Sequence, residues 1–437
     1  MDCKGFIAFT LLVITGNVVA DNPCQPNQLH IAYGDDLSKM IISWSTVNDT
    51  DSIVKYGLTV DSLTLIQKGN ESMFVDGGNE KRTQYIHRVD LVDLKPNTTY
   101  FYMAGGPSGW SATYHFKTMP EGEDWSPSLA VFGDLGSENA QSLPRLKSDS
   151  AMGMYDAILH VGDFAYDLAS NNGRTGDEFM EQIEPIASSI PYMTCVGNHE
   201  NAYNFSNYRY IFNMPTDNKK MYYSFNMGPV HFISISTEFF YFPYYGVQQL
   251  YDQYDWVKQD LIEANKPENR LKRPWIITFG HRPMYCSNND NDDCTNHESL
   301  VRVGIPSLKV KGFEDLFHDM GVDVAIWAHE HSYERLWPLY NMKVMNGSYD
   351  HPYTNPGGIT HIITGSAGCS ERLEYFIKDP PEWSAVRVSD YGFLRMNVFN
   401  KTHILFEQVS DDQNGRVIDS FTLIRDRHDS YNKMNRL

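Results

Sequence analysis

Residues 128–134 read SLAVFGD, an apolar run of strand length that stops at an aspartate. The same grammar returns four times: AILHVGDFAY at 157–166, YMTCVGNHE at 192–200, WIITFGHRP at 275–283 and VDVAIWAHEHSYER at 322–335. Each apolar run predicts a buried strand, and each is followed closely by Asp, Asn or His. Ligand-binding residues in α/β sheets gather at the carboxyl ends of strands. Five such ends converging would bring together Asp134, Asp163, Tyr166, Asn198, His281, His329 and His331. A lone GD or GN after a strand is an ordinary turn, and a lone histidine is ordinarily a satisfied one. Five in succession predict a dinuclear metal centre.

Seven side chains fill two sites of four ligands each if one carboxylate is shared, and Asp163 is the expected bridge, since its two oxygens can face two cations. A pair of metals about 3.5–4 Å apart suits in-line displacement at phosphorus. Tyr166 narrows the choice of metal. A phenol with a pKa of about 10 ionises in acid only beside a strong Lewis acid, so Fe³⁺ fits where Zn²⁺ or Mg²⁺ alone fits poorly. Two carboxylates and a phenolate bring three negative charges against five positive ones on an Fe³⁺/M²⁺ pair. The remainder suits a phosphate dianion.

The blocks GDLG (133–136), GDFAY (162–166), GNHE (197–200), GHRP (280–283) and AHEHSYER (328–335) resemble the five signature blocks of the purple acid phosphatases, within the calcineurin-like metallophosphoesterases. The likeness is to the long, two-domain, plant-like form that animals also carry. It implies an acid phosphatase that hydrolyses small phosphate monoesters through a metal-activated hydroxide. It also implies that Asp134, Asp163, Tyr166 and His331 hold Fe³⁺, while Asp163, Asn198, His281 and His329 hold a divalent ion, Zn²⁺, Fe²⁺ or Mn²⁺. His199 is implied to bind phosphate and protonate the leaving group. His297 is a second candidate for that role, but the loop SNNDNDDCTNHES around it departs from the family pattern, and a solvated histidine is the competing reading. Ala328 stands where the family often has glycine. Two other classes stay open: a phosphodiesterase or nucleotide pyrophosphatase on the same fold, against which Tyr166 argues, and a non-catalytic adhesive glycoprotein, against which the complete ligand set argues.

A net charge of −19 excludes binding to nucleic acid or an anionic membrane through the overall field, so an anionic substrate must be drawn locally. Residues 1–20 read as a signal peptide, with Lys4 before GFIAFTLLVIT and Val18-Val19-Ala20 before the expected cut. A membrane anchor is the competing reading, but the apolar stretch is too short to span. Sequons at Asn48, Asn70, Asn97, Asn204, Asn346 and Asn400 fit a secreted, extracellular glycoprotein, with a lysosomal destination also compatible. Cleavage would leave Cys24, Cys195, Cys286, Cys294 and Cys369, an odd number in an oxidising compartment. Cys286 and Cys294 bracket a polar loop and are the expected disulfide, with Cys195 a packed thiol in a buried strand. A homodimer stays open.

Around this centre the chain divides in two. Residues 24–118 alternate apolar and polar in short runs such as LHIAY, MIISWST and TYFYMAG, which predicts an all-β sandwich with Trp44 in its core. It resembles a fibronectin type III module. After the linker MPEGEDWSP, residues 127–427 predict an α/β two-sheet sandwich, the metallophosphoesterase domain. Helices are expected over 137–152, 178–190 and 246–265, the last facing the sheet with Leu250, Tyr254, Val257 and Leu261. VRVSDYGFLRMNVF reads as one strand near the end.

Overall fold

The computed structural model describes residues 22–216, 220–289, 294 and 298–431. The expected signal peptide and His297 lie outside the described residues.

Residues 27–117 form two packed sheets. One runs Asn27–Tyr33, Met40–Thr46, Thr83–Leu91, Asn70–Val75; the other runs Leu65–Lys68, Ile53–Gly57, Thr99–Gly106, Gly109–Trp110, with Tyr114–Lys117 also pairing Thr99–Gly106. Alternation in sequence becomes alternation in burial: in Ile53–Gly57, Val54 and Tyr56 point in while Ile53 and Lys55 are half-buried. Trp44 is buried in this core, stacked on His87 at 4.8 Å.

The larger region is built on two mixed sheets in a sandwich. Ser128–Phe132, Ala157–Val161 and Tyr192–Cys195 are parallel neighbours in a six-stranded sheet, completed by three antiparallel strands from the chain's end. Trp275–Phe279 and Val324–Trp327 are parallel neighbours in a seven-stranded sheet. The five ligand-bearing runs are thus divided between the sheets, three and two. Apart from the half-buried Ser128 that opens the first, all five strands are buried along their length, as their apolar sequences require. Helix Gln248–Ala264 buries Leu250, Val257 and Leu261 against the core, with Tyr254 partly buried beside them.

Two elements differ from the sequence reading. The helix expected over 137–152 is confined to Leu143–Ala151, because Pro144 sits in its first turn and opens it there. The single strand expected over 386–399 is two. Ser384–Val388 pairs with Tyr333–Leu336 in the seven-stranded sheet, and Gly392–Val398 enters the six-stranded one. Gly392 makes the crossing: a Cβ there would fall 1.9 Å from the Val409 carbonyl oxygen, which only glycine avoids.

Candidate metal centre

Asp134, Asp163 and Asn198 follow the three parallel strands of one sheet; His281, His329 and His331 follow the two of the other. Two glycines let these turns interlock. A Cβ on Gly197 would lie 2.2 Å from Asp163 Oδ1, and one on Gly162 would lie 2.5 Å from His281 Nδ1. Asp134, Asp163, Tyr166 and His329 all adopt left-handed backbone, with φ of 58°, 52°, 52° and 71°. Each such residue costs about 1–3 kcal/mol, so the surrounding structure must over-determine it.

The donor atoms form two groups. Tyr166 Oη lies 3.0 Å from both Asp134 Oδ1 and His331 Nε2, which are 3.6 Å from each other. His281 Nε2 lies 3.0 Å from both Asp163 Oδ2 and Asn198 Oδ1. Ligand atoms of Asp163, His281 and His329 fall within 4.8 Å of one another. Atoms bound to one ion at about 2.0–2.2 Å stand about 3–3.5 Å apart, so the donors fit a pair of ions. The outer nitrogens support this: His281 Nδ1 donates to the Val161 carbonyl (2.9 Å) and His331 Nδ1 to the Arg372 carbonyl (3.0 Å), leaving each Nε2 aimed inward. Glu200 braces the turn from beneath, accepting from the amides of Asp163, Phe164 and Gly197. Asp134, Asp163 and His281 are fully buried, whereas Tyr166, Asn198, His199 and His329 are half-buried, so the site opens on their side.

Charge is unevenly placed in the ion-free site. Burial alone would raise the Asp163 carboxyl, but His281 together with His199 and His329 holds it well below the usual range. Burial would lower His281; Asp163 and Asp134 instead lift it to about 10. His329 goes the other way, pushed far down by burial and by the Arg282 guanidinium, whose Nη1 is 2.8 Å from its Nε2. Burial and the charges of Asp134 and Asp163 hold the Tyr166 phenol well above its ordinary value, which disfavours the phenolate in the ion-free site. His199 Nδ1 is 2.6 Å from Asp167 Oδ1, its peptide N–H donates to Asp163 Oδ1 (2.9 Å), and its Nε2 is 3.7 Å from Glu371 Oε1. Burial would lower this imidazole, but the bond to Asp167 and the charge of Asp163 lift it to about 9.

The matched family models cover the chain in order. Residues 26–118 match the purple acid phosphatase N-terminal domain, 127–333 the calcineurin-like phosphoesterases, and 358–420 the iron/zinc purple acid phosphatase-like protein C domain. Acid phosphatase type 7 of Danio rerio is 54% identical over 94% of this chain and 94% of its own. The chain belongs to the purple acid phosphatase family. Acid phosphatase type 7 of Homo sapiens is likewise 54% identical, over 97% of this chain and 96% of its own. The structure of purple acid phosphatase PPD1 from yellow lupin seeds superposes with a TM-score of 0.77 at 26% identity, covering 93% of this chain and 75% of that one.

Ala328 of this purple acid phosphatase lies at a crowded crossing: its Cβ is 2.4 Å from where one on Gly133 would sit, so the pair accommodates a single methyl. The structure joins Cys286 and Cys294 in a disulfide against Glu330, between His329 and His331, while Cys24, Cys195 and Cys369 are free. Because its two sulfurs bond each other, they offer no thiolate ligands. Among the sequons, Asn48, Asn70, Asn97 and Asn400 are exposed, and Asn204 and Asn346 are half-buried. Sequence reasoning missed Asp167, Glu200, Arg282 and Glu371. Glu200 and Arg282 lie inside the blocks GNHE and GHRP and Asp167 directly follows GDFAY, so these three carried that signal; Glu371 lies far from any block.

Proposed function

We propose that this chain hydrolyses small phosphate monoesters in acid at an Fe(III)–M(II) pair, M being zinc, iron(II) or manganese(II). One observation carries the reading: Tyr166 shares a 3.0 Å donor group with Asp134 and His331, yet its phenol is held above its ordinary range until a strong Lewis acid arrives. In this reading Asp134, Asp163, Tyr166 and His331 hold the iron; Asp163, Asn198, His281 and His329 hold the divalent ion. When bound, the pair supplies a nucleophilic water at acid pH and charge stabilisation for the phosphoryl group.

The chain's own residues do the rest. Asp167 fixes Nδ1 of His199 and turns Nε2 toward the opening, where it can bind a phosphate oxygen and protonate the leaving alkoxide. In the ion-free site the bond to Asp167 and the charge of Asp163 lift that imidazole to about 9, which favours its proton-donating form. His297 is a second candidate for the same work. We also read the chain as secreted and glycosylated, cleaved after residue 20. No helix among the described residues is long and apolar enough to cross a membrane.

The test is substrate preference together with metal content. Metal-loaded protein should favour alkyl and aryl monoesters over diesters, and Asp163→Asn should lose both ions and the activity. A diester preference, or a full complement of ions in Asp163→Asn, would overturn the assignment.

A further inference from the structure

One loop of the N-terminal sandwich, Asp76–Arg82, joins strands Asn70–Val75 and Thr83–Leu91 and reaches into the larger domain. It lies against two segments that both start at the site. One, residues 170–174, follows Tyr166 and Asp167; the other, residues 203–207, follows Asn198 and His199. Arg82 grips the first: Nη1 donates to the Asn172 carbonyl (2.9 Å) and Nη2 to Asp177 Oδ2 (2.6 Å). Glu80 donates its amide to Asn172 Oδ1 (3.1 Å) and accepts from Asn172 Nδ2 (3.1 Å) and Arg174 Nη2 (2.6 Å). Asp76 holds the second segment, accepting from Asn207 Nδ2 at 3.1 Å. Gly77 packs so closely on Tyr203 that a Cβ would lie 2.2 Å from its ring.

Both gripped segments are strained. Asn171 and Asn172 have φ of 51° and 56°; Tyr203, Asn204 and Phe205 have φ of 53°, 59° and 59°. Left-handed backbone at non-glycine residues persists only where neighbours enforce it, and the loop contacts both strained stretches. The stretches of chain that lead into these segments meet at the site, where Asp167 Oδ1 and His199 Nδ1 are 2.6 Å apart.

We propose that the Asp76–Arg82 loop is a positioning element for the proton donor. By pinning 170–174 and 203–207, it holds Asp167 where it orients His199; this rests on the reading of His199 as the donor. The N-terminal sandwich then takes part in the reaction without touching substrate. A loop that only tied two domains together would affect stability and leave the chemistry alone.

The readout is leaving-group dependence, measured on full-length, metal-loaded protein. An alkyl phosphate needs its leaving oxygen protonated, whereas p-nitrophenyl phosphate hardly does. Arg82→Ala should keep both metals but lose about tenfold or more in kcat on the alkyl ester and less than about threefold on p-nitrophenyl phosphate. Arg82→Lys should recover part of the loss. Glu80→Ala, at an exposed position, should show the same discrimination more weakly, and it decides the matter if Arg82→Ala does not fold. Equal losses on the two esters, or a changed melting temperature with unchanged kinetics, overturn the inference. His199→Ala separates the two readings. If it loses both esters equally, the donor assignment fails and the inference with it; if it discriminates while Arg82→Ala and Glu80→Ala do not, the inference alone fails.

Discussion

At His281 a proton and a metal ion compete for one nitrogen. Its Nε2 lies 3.0 Å from Asp163 Oδ2 and is lifted to about 10, so below that pH an arriving cation must displace a proton. Affinity for the divalent ion should therefore rise by roughly tenfold per pH unit through the acid and neutral range. Calorimetry in buffers of differing ionisation heat should register about one proton released per ion; pH-independent affinity would contradict this. His199→Ala should retain both metals and lower kcat on alkyl esters by about 10²–10⁴. Metal loss in that variant would make His199 structural. The seven ligand candidates were legible because each follows a recognisable apolar run, which ties its position to a strand end. Their partners were not. Glu371 approaches His199 from a loop whose path depends on how two sheets pack, and Arg282 sits beside Glu238 and Tyr241 for the same reason.

Where elements were misread, the cause was tertiary. Gly392–Val398 continues the apolar pattern of Ser384–Val388, so nothing local says that the chain changes sheets between them. The helical period over 246–265 was reliable because a surface helix writes its buried face into one chain segment. Leu261 on that helix is fully buried, so Leu261→Ala should cost about 2–5 kcal/mol of unfolding free energy in a denaturant titration. A change below the measurement error would show that its packing is looser than described. Opening the Cys286–Cys294 disulfide should cost about 2–3 kcal/mol by the loop-entropy model. A non-reduced peptide map in which either cysteine is free or paired elsewhere would reject the bridge.

Across the whole molecule, the residue after the last strand, Arg425, is tied to the seven-stranded sheet by a buried ion pair. Arg425 Nη1 lies 2.5 Å from Asp323 Oδ1, both side chains fully buried, with Arg270 3.6 Å away. Burial would raise the Asp323 carboxyl, but Arg425 and Arg270 outweigh it and hold it well below the usual range. A depressed carboxyl contributes its stability above the unfolded pKa of about 3.9 and loses it only as pH falls toward the folded value. The pair therefore stays intact at the acid pH an acid phosphatase works at. Asp323→Asn should destabilise by about 3–5 kcal/mol near neutrality, with the gap from wild type narrowing below about pH 4; a pH-independent gap would contradict the ion pair's role. The central claim concerns the metal pair, and the most direct measurement is the visible spectrum of the iron-loaded, oxidised protein beside its elemental analysis. Tyr166 bound to Fe³⁺ should give a charge-transfer band and a pink-to-purple colour, which Tyr166→Phe loses while keeping its fold. Protein that carries oxidised iron and remains colourless would contradict it.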